Sequence, residues 1–207
     1  MAEMEYIGDV FYDYGGGLYA NMTNKCPCRC AFCIRDMVDS LGDADSLWLK
    51  REPTMNELME MLKEQDLEKY REIVFCGYGV PTERLDCLFK VCDYVKNDPK
   101  LGGRLKTRLN TNGLSDFINK RPTAKEFEGK LDAISVSLNA PTAEKYLELC
   151  RPKFGIRSFD EILRFTQEVK EYVPDVTMSV VSGSISSQDI EDCRKIAENL
   201  GVKFRVR

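Results

Sequence analysis

Four cysteines stand within eight residues of one another and form the densest group of thiols in the sequence. They are Cys26, Cys28, Cys30 and Cys33, in a chain of 207 residues that has nine cysteines and no histidine. Without histidine, a Ser-His-Asp triad, a Cys-His dyad and a histidine-ligated zinc site are all excluded. Because thiolates are ligands of iron and zinc, the group indicates metal chemistry.

Three of these cysteines have the spacing C-x3-C-x2-C, from Cys26 through Cys30 to Cys33. Iron–sulfur clusters are usually held by four thiolates, so three on one short loop leave a position for an external ligand. An open coordination position is typical of catalytic metal sites. Structural zinc sites usually join two cysteine pairs from separate turns, which one short loop does not provide. Cys28 offers a rival triplet with Cys30 and Cys33.

The composition narrows the class of protein further. Thirty Lys and Arg against 34 Asp and Glu give a formal net charge of −4, and the charges are mixed along the chain. We therefore find no direct sign of nucleic-acid binding and no basic membrane arm. No apolar run approaches the roughly 20 residues of a bilayer span, and the N-terminus lacks the apolar segment of a signal peptide. The sequence predicts a cytoplasmic protein whose cysteines are thiols or metal ligands rather than disulfides.

Short apolar runs alternate with amphipathic stretches, and the length fits one domain. The predicted strands are 18–23, 72–76, 106–111, 132–138, 176–182 and 203–206. The predicted helices begin at Thr54, near 84, near Ser158 and around Ser186. Six strands with helical sequence between them predict a parallel α/β fold that winds into a partial (β/α)6 barrel. Polar or glycine-rich residues follow the strands, at the edge where such folds build ligand sites.

The motifs on this framework resemble those of the radical S-adenosylmethionine (SAM) superfamily. The C-x3-C-x2-C loop after the first strand, with Phe32 before the last cysteine, is similar to that family's hallmark. CGYGVPT (76–82) resembles its glycine motif, SVSLNAP (135–141) its segment near the ribose, and RPKFGIRSFDEIL (151–163) the segment that follows. More narrowly, LYANMTNKCPCRCAFCIR, FCGYGVPT and LCRPKFG are similar to small TatD family-associated radical SAM proteins. The resemblance implies an N-terminal extension or β-ribbon over 1–16 and a core domain over 17–207.

The resemblance also implies cofactors and site residues. A [4Fe–4S] cluster would be held by Cys26, Cys30 and Cys33, which makes Cys28 a bystander and the other five cysteines core thiols. SAM would be cleaved reductively to a 5′-deoxyadenosyl radical that abstracts hydrogen from an unidentified substrate. Val80 stands where the family often has a glutamate, so a carboxylate contact to the SAM amino group is lost. The residues implied to contact SAM are Phe32, Gly77, Tyr78, Gly79, Asn112, Ser137, Asn139 and Arg151.

Substrate and partners stay open at this level. The alternatives are a glycyl-radical activase, a radical SAM enzyme that modifies purines or nucleosides, and a non-catalytic iron–sulfur protein for electron transfer or sensing. The expected partners are a small-molecule or peptide substrate and an electron donor such as flavodoxin or ferredoxin. The last strand leaves an open barrel edge, which we expect a partner, a second copy in a homo-oligomer or the N-terminal ribbon to cover.

Overall fold

The strands lie in the sheet in the same order as in the chain. The structure is a computed structural model that describes residues 6–207. One seven-stranded sheet has the order β1 to β7, with β1 antiparallel to β2 and every later pair parallel. The strands are β1 (Phe11–Tyr14), β2 (Gly17–Ala20), β3 (Glu72–Phe75), β4 (Lys106–Thr111), β5 (Ala133–Ser137), β6 (Asp175–Val180) and β7 (Lys203–Val206). This open sheet confirms the predicted partial barrel of six parallel strands, to which β1 adds an antiparallel edge.

Six α-helices connect the strands within the described residues. They are α1 (Met55–Lys63), α2 (Leu85–Asn97), α3 (Ser115–Asn119), α4 (Ala143–Cys150), α5 (Arg157–Val169) and α6 (Ser187–Asn199). The predicted capping box at Thr54 is present, because the Thr54 side chain accepts from the backbone of Glu57 and the Glu57 side chain accepts in return. Neither α3 nor α4 is predicted from the sequence. Helix α4 has apolar residues at the helical spacing i, i+3, i+4, i+7, namely Ala143, Tyr146, Leu147 and Cys150, so its pattern does indicate a helix and the prediction missed it.

The first predicted strand, 18–23, is too long, because the sheet pairing of β2 ends at Ala20. The Asn21 side chain donates hydrogen bonds to the backbone oxygens of Asp9 (3.1 Å) and Leu47 (2.8 Å). The Thr23 hydroxyl donates to Glu52 at 2.6 Å. These bonds draw the chain out of the sheet, and the cysteine segment therefore begins as a loop.

The two faces of the sheet differ in polarity because side chains alternate along each strand. Buried apolar residues such as Ile73, Leu109 and Val136 face the helices and form most of one hydrophobic core. The opposite face, which we call the inner face, carries a row of charged and polar side chains. Its members include Arg108, Asn110, Ser135, Ser137, Thr177, Ser179 and Arg205, placed side by side by the strand register. The inner face is therefore the polar surface on which a ligand can be bound.

The predicted N-terminal extension is described in part. Residues 1–5 lie outside the described residues, and Phe11–Tyr14 forms the strand that pairs with β2. The proposed boundary between residues 16 and 17 stays a prediction. In the described part of the chain, none of the helices has the length and apolar character needed to cross a membrane.

Candidate active site

The cysteine loop follows β2 and is fixed to the end of α4 by backbone hydrogen bonds. The backbone N–H groups of Arg29 and Ala31 donate to the oxygens of Cys150 (3.0 Å) and Leu149 (2.9 Å). In return, the backbone N–H of Lys153 donates to the oxygen of Pro27 at 2.8 Å. Because β2 runs parallel to β3, these contacts hold the loop at the carboxyl ends of the parallel strands, where ligand sites form.

The four clustered thiols have different surroundings. Cys28 is only 3% exposed, and its sulfur lies 3.7 Å from the Tyr146 hydroxyl. Cys26, Cys30 and Cys33 are half-buried. Cys28 is thus the most buried of the four, although its sulfur also hydrogen-bonds with those of Cys26 and Cys30.

Hydrogen bonding and burial keep these thiols protonated in the metal-free protein. A hydrogen bond with Cys28, followed by burial, raises the pKa of Cys26. A hydrogen bond with Cys150 is the largest cause that raises the pKa of Cys30, and burial raises the pKa of Cys33. A thiolate ligand must lose its proton when metal binds, so metal uptake here releases protons.

The donor set fits an iron–sulfur cluster in chemistry and position. Within residues 6–207, no group of three Cys, His, Asp or Glu side chains is already arranged to hold a single metal ion. Three half-buried thiols nevertheless lie on one loop, with no histidine or carboxylate among them. Thiolate-only donors are those that iron–sulfur clusters use.

Gly77 and Gly79 are required by the close approach of two loops. A Cβ atom on Gly77 would overlap the side chain of Asn21, and one on Gly79 would overlap the backbone of Thr23 and Lys25. The N–H of Gly79 donates to the oxygen of Thr23 at 2.9 Å. The turn after β3 therefore supports the start of the cysteine loop. The predicted contact of both glycines with SAM stays a prediction.

The side chain of Tyr78 is packed inside the protein, so the predicted SAM contact, which stays a prediction, would have to come from its backbone. The Tyr78 ring packs in a small cluster with Tyr12, Ala44 and Leu47, and its hydroxyl donates to the backbone oxygen of Val38. The ring of Trp48 meets it edge-on, with 5.0 Å between ring centroids. The side chain is thus used for packing.

Two of the predicted asparagines lie beside cysteine sulfurs. The Asn112 amide nitrogen is 3.9 Å from the sulfur of Cys26 and 3.8 Å from that of Cys28. The Asn139 amide nitrogen donates to the Cys150 sulfur at 3.7 Å. The Asn139 Oδ1 atom is buried without a hydrogen-bond partner, and its backbone is left-handed with φ of 62°. A buried acceptor without a donor is costly, so Asn139 is suited to accept from a bound ligand.

The remaining predicted residues lie at different places around the loop. Ser137 is on the inner face, where its Oγ accepts from Arg207 at 3.0 Å. Phe32 is half-buried against the main core. Arg151 is exposed and ends α4 in a left-handed conformation, with φ of 46°. Arg151 therefore lies at the point where the cysteine loop is fixed to α4, rather than on the inner face.

Three residues that the sequence did not predict at the site lie close to it, namely Cys76, Arg205 and Arg207. Cys76 was predicted as a core thiol, but it is only half-buried and follows Val74 on the inner face, close enough to influence Arg207. The other four scattered cysteines, Cys87, Cys92, Cys150 and Cys193, are buried as predicted. Arg205 and Arg207 also carry side chains onto the inner face. The alternation in the last strand, KFRVR, is the signal that places both arginines on one face.

Comparison with known proteins gives a family model and structural relatives. The model described as the Radical SAM superfamily matches residues 20–198. A radical SAM methyltransferase from Sphaerobacter thermophilus has a TM-score of 0.63 and 17% identity, covering 95% of this chain and 57% of that one. Streptococcus suis SuiB bound to S-adenosylmethionine has a TM-score of 0.61 and 16% identity, covering 93% of this chain and 40% of that one. Native anSMEcpe with bound AdoMet has a TM-score of 0.59 and 18% identity, with coverages of 91% and 50%.

At these identities the structural likeness establishes the fold alone. This chain spans between 40% and 57% of the lengths of those three proteins. No curated protein sequence matches the chain significantly. The family model identifies the superfamily but no narrower group within it. The similarity to TatD family-associated proteins therefore stays a prediction.

Proposed function

This chain belongs to the radical SAM superfamily, and on that premise we propose that it is an enzyme that cleaves SAM reductively to a 5′-deoxyadenosyl radical. When bound, a [4Fe–4S] cluster supplies the electron for that cleavage, and the radical abstracts hydrogen from the substrate. The observation that carries the proposal is the placement of three half-buried thiols on one loop at the carboxyl ends of the parallel strands.

Cys26, Cys30 and Cys33 are the proposed cluster ligands. Their half-buried positions leave the sulfurs within reach of the solvent from which iron and sulfide arrive. Cys28 is left out of the proposed set because it is the most buried of the four and its sulfur contacts the Tyr146 hydroxyl. Asn112, whose amide nitrogen points at the sulfurs of Cys26 and Cys28, is suited to donate to cluster-bound sulfur.

SAM is proposed to bind between the cysteine loop and the ends of β3 to β5. The turn Gly77–Gly79 packs against Asn21, Thr23 and Lys25, which places its backbone beside the start of the cysteine loop, and a backbone contact with SAM is proposed there. Asn139 offers its unpartnered Oδ1 to a ribose hydroxyl, which would satisfy a buried acceptor. With Val80 in place of an acid, binding of the SAM amino group falls to backbone oxygens and to the cluster.

An anaerobic assay tests this function. The protein is reconstituted with iron and sulfide, reduced with dithionite and incubated with SAM, and 5′-deoxyadenosine is measured. We expect 5′-deoxyadenosine from the wild type and none from Cys33→Ala, with Cys193→Ala as the matched control because Cys193 is buried far along the chain on α6. An intact cluster that gives no 5′-deoxyadenosine would support the non-catalytic alternative instead.

The rim of the cysteine loop is proposed to receive the electron donor. A recess of about 530 Å³ beside Cys26 is lined by five basic residues and one acid, Glu83. The basic residues are Lys25, Arg29, Arg35, Lys120 and Lys153. An acidic carrier such as a flavodoxin or ferredoxin is complementary to this charge and would dock next to a cluster ligand.

The reducing cytoplasm is the proposed location of the protein. It suits the nine cysteines, all of which lie in described residues and none of which forms a disulfide. Strand β7 pairs with β6 alone among the described strands, so one edge of the sheet is available to a second copy or another partner. The substrate, small molecule or peptide, would enter along the inner face.

A further inference from the structure

Two arginines of β7 and the segment after it point across the inner face toward serines of β5. The Nη2 atom of Arg205 lies 3.5 Å from the Oγ of Ser135, and Nη2 of Arg207 donates to the Oγ of Ser137 at 3.0 Å. The strand register places β5, β6 and β7 side by side, with small polar residues between the arginines and β5. The two guanidinium groups therefore lie on an open polar surface rather than in the packed core.

These arginines differ from the other cations of the same sheet in having no acidic partner. Arg108 makes two hydrogen bonds to Glu72, at 3.0 and 2.7 Å. Lys203, two residues before Arg205 on β7, pairs with Asp175 at 2.7 Å. Over residues 6–207, no Asp or Glu side chain lies within 4.0 Å of the guanidinium group of Arg205 or Arg207, although fifteen ion pairs form elsewhere. The inner face thus holds two adjacent positive charges that the protein does not neutralise.

The surroundings of Arg207 place it at the candidate active site. Arg207 is exposed, and its guanidinium group lies near enough to the thiol of Cys76 and to Arg205 for their charges to influence its pKa. Cys30, a proposed cluster ligand, is also near enough to raise the pKa of Arg207. Arginine stays charged at any ordinary pH, so two adjacent guanidinium groups without acidic side chains beside them attract an anion.

The geometry of the groups indicates which anion fits. A guanidinium group presents its N–H donors as a planar fork that matches a carboxylate or a phosphate. Serine hydroxyls at 135 and 137 can turn to donate to the same oxygens. Residues i and i+2 of a strand are about 6.6 Å apart, so one anionic group can bridge both arginines.

We propose that Arg205 and Arg207, together with the hydroxyls of Ser135 and Ser137, bind a carboxylate or phosphate group of the substrate. The proposal rests on the proposed function, since it gives the chemical class of molecule that the radical would act on. Ser137 is also a predicted SAM contact, so the anion would be held next to SAM. The substrate is accordingly an anionic small molecule or an anionic side group of a peptide.

Equilibrium dialysis of the reconstituted protein tests the site directly. Radiolabelled orthophosphate is used in one arm and radiolabelled acetate in the other, at constant ionic strength. We expect saturable binding of one anion per chain in at least one arm, and the stronger arm assigns the phosphoryl or the carboxylate class. In Arg205→Gln/Arg207→Gln the dissociation constant should rise about tenfold or more, because a charge-assisted fork is lost at each position.

Lys203→Gln is the matched control, because it removes the same charge from the same strand at a cation that already has a partner. It should leave anion binding unchanged, and thermal unfolding of all variants checks that they fold. The proposal is overturned if neither orthophosphate nor acetate binds saturably with a dissociation constant below ~20 mM. It is also overturned if Lys203→Gln weakens anion binding as much as the double variant does. An equal loss of SAM binding in the double variant would assign the arginines to the SAM carboxylate and also overturn it.

The dialysis needs neither an electron donor nor SAM cleavage. Failure to form 5′-deoxyadenosine would therefore remove the proposed function while leaving the measured anion site in place. Normal 5′-deoxyadenosine formation without anion binding would remove the anion site alone.

Discussion

The hydroxyl of Tyr146 lies 3.7 Å from the sulfur of Cys28, and both side chains are buried. The contact joins the cysteine loop to α4, across more than 100 residues of sequence. It also places the Cys28 sulfur against the core, whereas Cys26, Cys30 and Cys33 are half-buried. Spacing alone offers two triplets of cysteines, and the choice of the one that excludes Cys28 stays a prediction.

We predict that Cys28→Ala keeps the iron–sulfur cluster, while Cys26→Ala, Cys30→Ala and Cys33→Ala each lose it. Removing one of three thiolate ligands leaves the cluster with too few protein bonds, whereas Cys28 contributes packing. Iron and acid-labile sulfide per chain, measured after anaerobic reconstitution, check this prediction.

The Cys28 change should still cost about 1–2 kcal/mol of unfolding free energy, because a buried sulfur is removed from the core. Retention of the cluster in Cys26→Ala together with its loss in Cys28→Ala would show that the rival triplet is the ligand set.

The strands were predictable because their apolar residues either run together or alternate with polar ones between turn residues. Strands β4 (Lys106–Thr111) and β7 (Lys203–Val206) have the predicted bounds. The predicted strand 176–182 instead ends at Val180, before a turn in which the Ser184 hydroxyl donates to the oxygen of Val181. Local hydrogen bonds of this kind set the ends of elements, and the apolar pattern does not contain them.

The site itself was predictable only where spacing carries chemistry. The cysteine spacing indicates the metal ligands, but the reason for Gly77 and Gly79 lies in a backbone contact with a distant loop. Helix α4 holds the cysteine loop through backbone hydrogen bonds between residues far apart in the sequence, so this role is visible only in the folded chain. The unpaired charges of Arg205 and Arg207 likewise depend on which acids lie nearby in space.

The close approach at Gly79 leads to a second prediction. Gly79→Ala should lower the unfolding free energy by about 1–3 kcal/mol, because its methyl group overlaps the backbone of Thr23 and Lys25 and neither can move away freely. The displaced loop should also bind less iron. Urea unfolding and iron content of the reconstituted protein measure the two effects.

Gly103→Ala is the control, since a Cβ atom at this position would have no other atom within 4 Å and the φ of Gly103 is not positive. Its unfolding free energy should stay within about 0.5 kcal/mol of the wild type. Equal stability of the two alanine variants would mean that the contact at Gly79 does not constrain the loop.

The basic recess beside Cys26 gives a third prediction. Replacing Arg29, Lys120 and Lys153 with glutamate should slow reduction by an acidic flavodoxin about tenfold or more at low salt, because the charge that attracts the donor is reversed. Reduction by dithionite, a small reagent, should change far less. Stopped-flow absorbance of the reconstituted cluster measures both rates.

The triple variant Lys63→Glu/Lys90→Glu/Lys100→Glu serves as the control for the total charge, since all three lysines are exposed and lie outside the recess. The flavodoxin rate of the wild type should also fall as salt rises, because the Debye length shortens. A rate that is independent of salt and of the three substitutions would place the donor elsewhere.

The fourth prediction concerns Asp132 and the way in which the free energy of unfolding depends on pH. Burial alone would raise its pKa, but bonds from Lys96 (2.5 Å) and from the backbone N–H of Thr107 (2.7 Å) lower the pKa overall. A lowered folded-state pKa stabilises the protein above the unfolded value of about 3.9, and this contribution is lost as pH falls through the folded value. Asp132→Asn should therefore cost about 1–3 kcal/mol at pH 7.

The cost should shrink below about pH 4, where protonation weakens the same bonds in the wild type. Urea unfolding of wild type and variant from pH 3 to pH 8 measures the difference. Glu171→Gln, at an exposed position, should stay within about 0.5 kcal/mol of the wild type across that range. A cost for Asp132→Asn that is the same at pH 3 and pH 7 would mean that packing, rather than the charge on Asp132, joins α2 to the start of β5.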